Sequence, residues 1–142
     1  MSSEIVIREI DFRIIRRLRE ARILSGKTQL SLAQDINVSE GFIGNLENLK
    51  QPKKLNLNLI HKITKGLNLK SYSDLLPQVI VENDYVRIQF ETLRIPKEKE
   101  VDENGNVIEN IKITSFKEIS LSEVEKLKED KKKGKHKDLI IY

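Results

Sequence analysis

Residues 28–47, TQLSLAQDINVSEGFIGNLE, decide the fold of the first half of this 142-residue chain. Apolar side chains recur at helical spacing in two short runs, which predicts two amphipathic helices joined by a tight turn. These apolar positions are Leu32, Ala33 and Ile36 in the first run and Ile43 and Leu46 in the second. The pattern predicts that each helix buries one face and that the second helix protrudes with its other face exposed.

The residues at the helix boundaries support the same interpretation. Thr28 and Ser39 precede the two runs, and a side-chain oxygen at such a position accepts a hydrogen bond from a free backbone N–H group. Asn37 lies in the turn, where the backbone often needs a positive φ, and asparagine tolerates this conformation best after glycine. A protruding second helix of this kind can enter the major groove of DNA.

With these offsets, residues 12–76 resemble the Cro/repressor (XRE) type of helix-turn-helix protein, which has the lambda-repressor-like fold. The resemblance rests on an arginine-rich first helix (IIRRLREAR), Gln29 after the cap, Ala33 four residues later, Ile43 and Glu47 in the second short helix, LNLIHKITKGLNL in a fourth helix and SYSDLLP in a closing one. It implies a five-helix DNA-binding domain. It also implies a structural role for Glu47 inside that domain, and Arg19 is the candidate partner.

The resemblance implies that residues after Ser39 face the major groove and that the following loop meets phosphates. The candidate DNA-binding residues are Thr28, Gln29, Ser39, Glu40, Gly41, Phe42, Gly44, Asn45, Asn48, Lys50, Lys53 and Lys54. Asn45 is a good adenine reader because its amide both donates and accepts. Glu40 can accept from cytosine but repels phosphates, and Gly41 and Gly44 offer no side-chain hydrogen bond.

Charge and composition narrow the function classes. The net charge is +4, but residues 1–77 carry 13 Lys+Arg and 8 Asp+Glu (+5), while residues 78–142 carry 13 and 14 (−1). The positive excess therefore lies in the half that is expected to meet phosphates. The arginines of the first helix form either a solvated face or, in part, a contact to the DNA backbone. The chain has no cysteine, which fits a cytoplasmic location, and no apolar run of about 18 residues, so no membrane helix is expected.

Residues 78–142 change to a two-residue period, which predicts strands. Val86, Ile88 and Phe90 alternate with polar residues, Val79 and Val81 suggest an earlier short strand, and a returning strand is expected within 107–116. Asn104–Gly105 is a hairpin signal. Ser120 or Ser122 caps a helix, and residues 4–7 are candidates to pair with the apolar end 139–142. Pro77 marks the predicted boundary between the two parts.

The sequence therefore predicts an α+β chain: a five-helix domain over 8–77 and a small β-rich extension with one helix over 78–142. We expect a bacterial, cytoplasmic, sequence-specific regulator of double-stranded DNA, acting as a repressor and a homodimer without a cofactor or metal. The extension is expected to mediate dimerisation or partner binding, and a chain ending at Pro77 to fold as a monomer. The alternatives are an antitoxin that binds its toxin through 78–142, and a protein-interaction module without DNA binding. No catalytic constellation appears, so an enzyme is not expected.

Overall fold

The computed structural model describes residues 2–96 and 99–142 and has the predicted α+β class. In chain order the elements are β1 (Ser2–Arg8), α1 (Glu9–Leu24), α2 (Gln29–Ile36), α3 (Glu40–Glu47), α4 (Leu57–Gly66), a 3-10 helix (Tyr72–Leu75), β2 (Tyr85–Thr92), β3 (Ile111–Ile119), α5 (Leu121–Lys132) and β4 (Leu139–Ile141). The helices occur where the apolar spacing indicated them, and the closing one is a single 3-10 turn capped by Ser71.

The helices α1 to α4 and the 3-10 turn pack around one apolar cluster. It contains all five apolar positions of the two short runs, Leu32, Ala33, Ile36, Ile43 and Leu46. Gly66, at the end of α4, allows a close approach to α2, since an added Cβ there would lie 2.5 Å from a methyl group of Ile36. The cluster holds α2 and α3 in a fixed relation to each other.

A four-stranded sheet of order β3-β2-β1-β4 forms the rest of the molecule. Strand β1 runs antiparallel to β2 and parallel to β4, with Glu4 opposite Leu139 and Val6 opposite Ile141. This confirms the predicted pairing of residues 4–7 with the C-terminal apolar end. Because β1 ends at Arg8 and α1 begins at Glu9, the sheet is joined directly to the first helix.

The two faces of the sheet pack against different helices. One face contacts Phe12 and Ile15 of α1, together with Leu49 from the loop after α3. The other face is covered by α5 through Val124 and Leu127. The helical part and the sheet therefore share a core. The division into 8–77 and 78–142 stays a prediction. Separating the two parts would expose the apolar side chains of this shared core.

Two details of the strand prediction were wrong. Residues 79–81 form no strand, and Val79 and Ile80 are 79% and 92% exposed, because no described strand lies beside them. The returning strand begins at Ile111, within the predicted 107–116, but it continues beyond that range to Ile119, and Val107 forms only an isolated bridge with Val101 around the predicted turn. Gly105 in that turn has φ 80°, a conformation that glycine adopts without a steric penalty.

Candidate nucleic-acid interface

The turn between α2 and α3 has the geometry that its sequence predicted. Asn37 adopts the left-handed conformation with φ 58° and ψ 50°, and the next residue donates its N–H to the Ala33 carbonyl at 2.9 Å. The Thr28 hydroxyl accepts from the Ser31 N–H at 3.0 Å, and the Ser39 hydroxyl accepts from the Phe42 N–H at 3.1 Å. Both predicted N-caps are confirmed, and they define where the two helices begin.

Helix α3 separates its residues into a buried and an exposed row. Ile43, Leu46 and Glu47 are buried, whereas Glu40, Gly41 and Asn45 are exposed. The exposed row carries one amide and one carboxylate as its hydrogen-bonding side chains. It is therefore a surface that can present Asn45 to a ligand without disturbing the core.

The twelve candidate residues fall into small groups of neighbours. The exposed ones are Thr28, Ser39, Glu40, Gly41, Asn45, Asn48, Lys50 and Lys54, and the half-buried ones are Gln29, Phe42, Gly44 and Lys53. Gln29, Gly44, Asn48 and Lys50 line one cavity beside α3. Within the part of the chain that the structure describes, no side-chain hydrogen bond joins Glu40, Asn45 or Lys54 to another of these residues, although the Asn48 N–H donates to the Asn45 carbonyl at 3.2 Å.

Two of the half-buried candidates contact each other. The Phe42 ring packs against the helical core cluster, and the Lys53 ammonium lies 4.8 Å from the ring centroid. A cation over an aromatic face is held by the ring quadrupole. Lys53 therefore has a structural contact in addition to any contact with a phosphate. Lys54 is exposed, so its substitution tests binding to the DNA backbone without disturbing such a contact.

A buried ion pair anchors α3 to α1. The Arg22 guanidinium donates from Nε to Glu47 Oε2 at 2.6 Å and from Nη2 to Glu47 Oε1 at 2.9 Å. Their side chains are 2% and 6% exposed. Gln29 Nε2 adds a third hydrogen bond to Glu47 at 3.2 Å, and Arg22 Nη1 donates to the Lys27 carbonyl. Burial alone lowers the pKa of Arg22, but the hydrogen bonds and charge of Glu47 outweigh it and raise that pKa above its usual value.

The sequence predicted the wrong arginine as the partner of Glu47. Glu47 does bond inside the helical part, but to Arg22 and not to Arg19. Both arginines lie on the same side of α1, three residues apart, so the sequence could not say which one α3 crosses. The one local signal was Gln29, whose amide donates the third hydrogen bond to Glu47.

Three arginines of α1 contact the segment between β2 and β3. Arg16 Nη1 donates to Asn110 Oδ1 at 2.7 Å and also pairs with Glu109, Arg19 Nη2 donates to the Ile108 carbonyl at 3.0 Å, and Arg22 Nη2 donates to Glu100 at 3.1 Å. Their spacing of three residues places them on one helix face. This face docks the segment between β2 and β3 beside α3.

The loop after α3 is fixed from the sheet side. Leu49 is buried in the core that the sheet shares with α1, and the Tyr142 hydroxyl donates to its carbonyl at 2.8 Å. Burial raises the pKa of Tyr142 to about 12, so this donor stays protonated at neutral pH. The lysines that follow Leu49, Lys50, Lys53 and Lys54, are therefore presented from a loop whose start has a defined backbone position.

Within residues 2–96 and 99–142, no helix combines the length and apolar character needed to cross a membrane. The same residues contain no group of three or more His, Cys, Asp or Glu side chains that could hold a metal ion.

Comparison with known proteins gives few matches. No protein-family model matches the chain, and a search of curated proteins finds no match. Among solved structures, the chain is similar to the restriction-modification controller protein C.AhdI from Aeromonas hydrophila, with 24% sequence identity and a TM-score of 0.41. The similarity covers 46% of this chain and 96% of that one. Values this low assign neither a family nor a function.

Proposed function

We propose that this chain is a sequence-specific regulator that binds double-stranded DNA through α3. The observation that carries the proposal is the α2–α3 unit itself: two capped helices, a left-handed Asn37 turn and an exposed outer row on α3. That row is free to enter a major groove, where base edges present distinct patterns of donors and acceptors. Repression by occupying a promoter in the bacterial cytoplasm is the simplest mechanism for such a chain.

The charge distribution supports phosphate binding next to the proposed groove contact. The net charge of residues 1–77 is +5, and Lys50 and Lys54 are exposed on the loop that follows α3. Backbone contacts of this kind position a protein on DNA, while base contacts provide the specificity. We therefore assign positioning to these lysines and base reading to Asn45.

Selection from a random duplex library should return a defined sequence motif. Each phosphate contact adds roughly −0.9 to the slope of log affinity against log salt, so several lysine contacts give a steep loss of binding. Filter binding or fluorescence anisotropy from low to moderate salt measures this slope. If purified protein retains no duplex at low salt, the proposal is wrong and the interaction-module alternative takes its place.

Asn45→Ala and Lys54→Ala should have different effects on DNA binding. Loss of the Asn45 amide should cost about 1–3 kcal/mol at one base position and relax the preference there. Loss of the Lys54 charge should weaken binding to all DNA sequences about equally. It should also make the salt slope less steep by roughly 0.9, the contribution of one phosphate contact. Competition binding on a panel of single-base operator variants compares them. A uniform effect from both substitutions would remove Asn45 as a base reader.

We further propose that the chain acts as a homodimer through the edge of its sheet. Strand β3 pairs with β2 and with no other described strand, so its outer edge has backbone groups free to pair with a second copy. A two-fold dimer that sets the two α3 helices about 34 Å apart would match a pseudo-palindromic site.

Thr114→Pro should convert this dimer to a monomer while the fold is retained. In the register of β2 and β3, Gln89 faces Ser115 and Phe90 faces Ile113, which leaves Thr114 as the bulged residue. Proline is tolerated at bulges but removes a donor from the edge. Light scattering on wild type, Thr114→Pro and the control Thr114→Ser measures the change. A Thr114→Pro protein that still dimerises would place the interface elsewhere.

One observation favours a protein partner as the second candidate. Leu57 is 88% exposed beside a mainly apolar groove that Ile10, Tyr72 and Leu76 also line, and apolar patches of this kind commonly mark interaction surfaces. This surface lies in the helical part. In the antitoxin alternative, the toxin would therefore contact residues outside 78–142 as well.

A further inference from the structure

A cavity of about 520 Å³ lies between the α2–α3 unit and the sheet. Its walls combine the apolar side chains of Leu49, Phe90 and Ile111 with the cations Arg19 and Arg94. The volume falls in the range of about 300–1,000 Å³ that small-molecule sites occupy. Such sites also combine an apolar wall with a few convergent polar groups.

Arg19 is the most buried charged residue of this cavity wall. It is 4% exposed, and within the described residues its one hydrogen bond runs from Nη2 to the Ile108 carbonyl at 3.0 Å. A guanidinium has five N–H donors, so most of its donor capacity is available. Burial, followed by the nearby charge of Arg16, lowers the pKa of Arg19, and the charges of Glu47, Glu100 and Glu109 offset only part of this effect. An anion beside it would offset that cost.

The acidic residues in the wall are already paired. Glu47 and Glu100 line the cavity, but both accept hydrogen bonds from Arg22, at 2.6 Å and 3.1 Å. Arg22, which is not part of the wall, compensates one of these two negative charges. Arg94 and Lys50 are exposed and carry positive charge at the surface of the same cavity. The cavity therefore favours an anion over a cation.

We infer that this cavity binds a small organic anion, with an apolar body against Phe90 and Leu49 and one anionic group on Arg19. Gln29, Gly44, Asn48 and Lys50 line the cavity and are also proposed DNA contacts. The regulatory consequence rests on the proposed function: a bound anion and DNA compete for these four residues, so each weakens the binding of the other.

The test uses 1-naphthoate as the probe and its neutral analogue 1-naphthalenemethanol as the control ligand, titrated into the full-length protein by calorimetry. Naphthoate should bind with one-to-one stoichiometry and at least tenfold more tightly than the alcohol. Arg19→Met should remove this preference. Lys62→Met, which removes an exposed charge from α4 away from the cavity, should leave both affinities unchanged.

A second variant keeps the inference testable if Arg19→Met fails to fold. Arg94 is exposed and can be replaced without opening the core, and Arg94→Met should weaken naphthoate at least threefold. Thermal melting confirms that each variant is folded. Equal affinity for the two probes in wild type, or wild-type affinity in both arginine variants, overturns the anion site.

The coupling is measured separately as the affinity for the selected duplex at saturating naphthoate. It should fall at least threefold for the wild-type protein and be unchanged by the neutral alcohol. Since the calorimetry contains no DNA, a chain that binds naphthoate through Arg19 but binds no duplex contradicts the proposed function alone. A chain that binds its duplex but shows no preference for naphthoate contradicts the cavity inference alone.

Discussion

Replacing Arg22 with methionine should lower the free energy of unfolding by about 3–5 kcal/mol, the largest loss we expect from any single substitution in this chain. The substitution leaves the Glu47 carboxylate buried, with Gln29 as its remaining side-chain donor. A buried carboxylate that loses its cation keeps its desolvation cost but loses the electrostatic attraction that offset this cost. The change also removes the donor to Glu100 and the Lys27 carbonyl. Urea titration followed by circular dichroism measures the loss.

Two control variants separate the ion pair from packing. Arg22→Met combined with Glu47→Leu removes both charges, and most of the lost stability should return, because a buried pair is often replaceable by apolar residues of similar volume. Lys128→Met breaks an exposed contact of 4.0 Å with Glu125 and should cost less than about 1 kcal/mol. If Arg22→Met costs no more than Lys128→Met, the pair does not anchor α3.

A chain that ends at Pro77 should be at least about 15 °C less stable than the full chain and prone to aggregate. The sequence alone predicted that this part folds as an independent monomer. The structure gives a reason to expect otherwise, because Phe12, Ile15 and Leu49 pack against the sheet and would be exposed. Each such side chain contributes about 1.5–3 kcal/mol when buried, and 1 kcal/mol shifts the melting temperature of a domain this small by about 4–8 °C.

The truncation at Pro77 also removes hydrogen bonds to the first residue of α1. Glu9 is 4% exposed and accepts hydrogen bonds from the N–H and the side chain of Asn83, which the truncation removes. A second truncated chain, residues 9–77, also lacks β1 and its exposed apolar residues. It should be more soluble than residues 1–77 but still less stable than the full chain. Thermal melting and light scattering decide, and full stability of either fragment would show that 8–77 is an independent domain.

The local features of the candidate interface could be predicted because each depends on residues close together in sequence. Asn37 sets its own backbone conformation, and the hydroxyls of Thr28 and Ser39 reach N–H groups three residues ahead. The apolar spacing of α2 and α3 specifies which faces are buried, whatever they are buried against. Even the pairing of β1 with β4 could be indicated, since both are short apolar segments.

Other features were decided by the tertiary structure. The choice of Arg22 over Arg19 as the partner of Glu47, the use of the α1 arginines to dock residues 100–110, and the cavity beside α3 all depend on where distant segments cross. Helical periodicity specifies a face but not which of two neighbouring residues on it meets a distant carboxylate. The sequence by itself determined the helix-turn-helix and its caps, because hydrogen bonds across three or four residues and one backbone conformation suffice. Only the tertiary structure decided that the sheet and helices share one core, because that core joins residues about 80 positions apart.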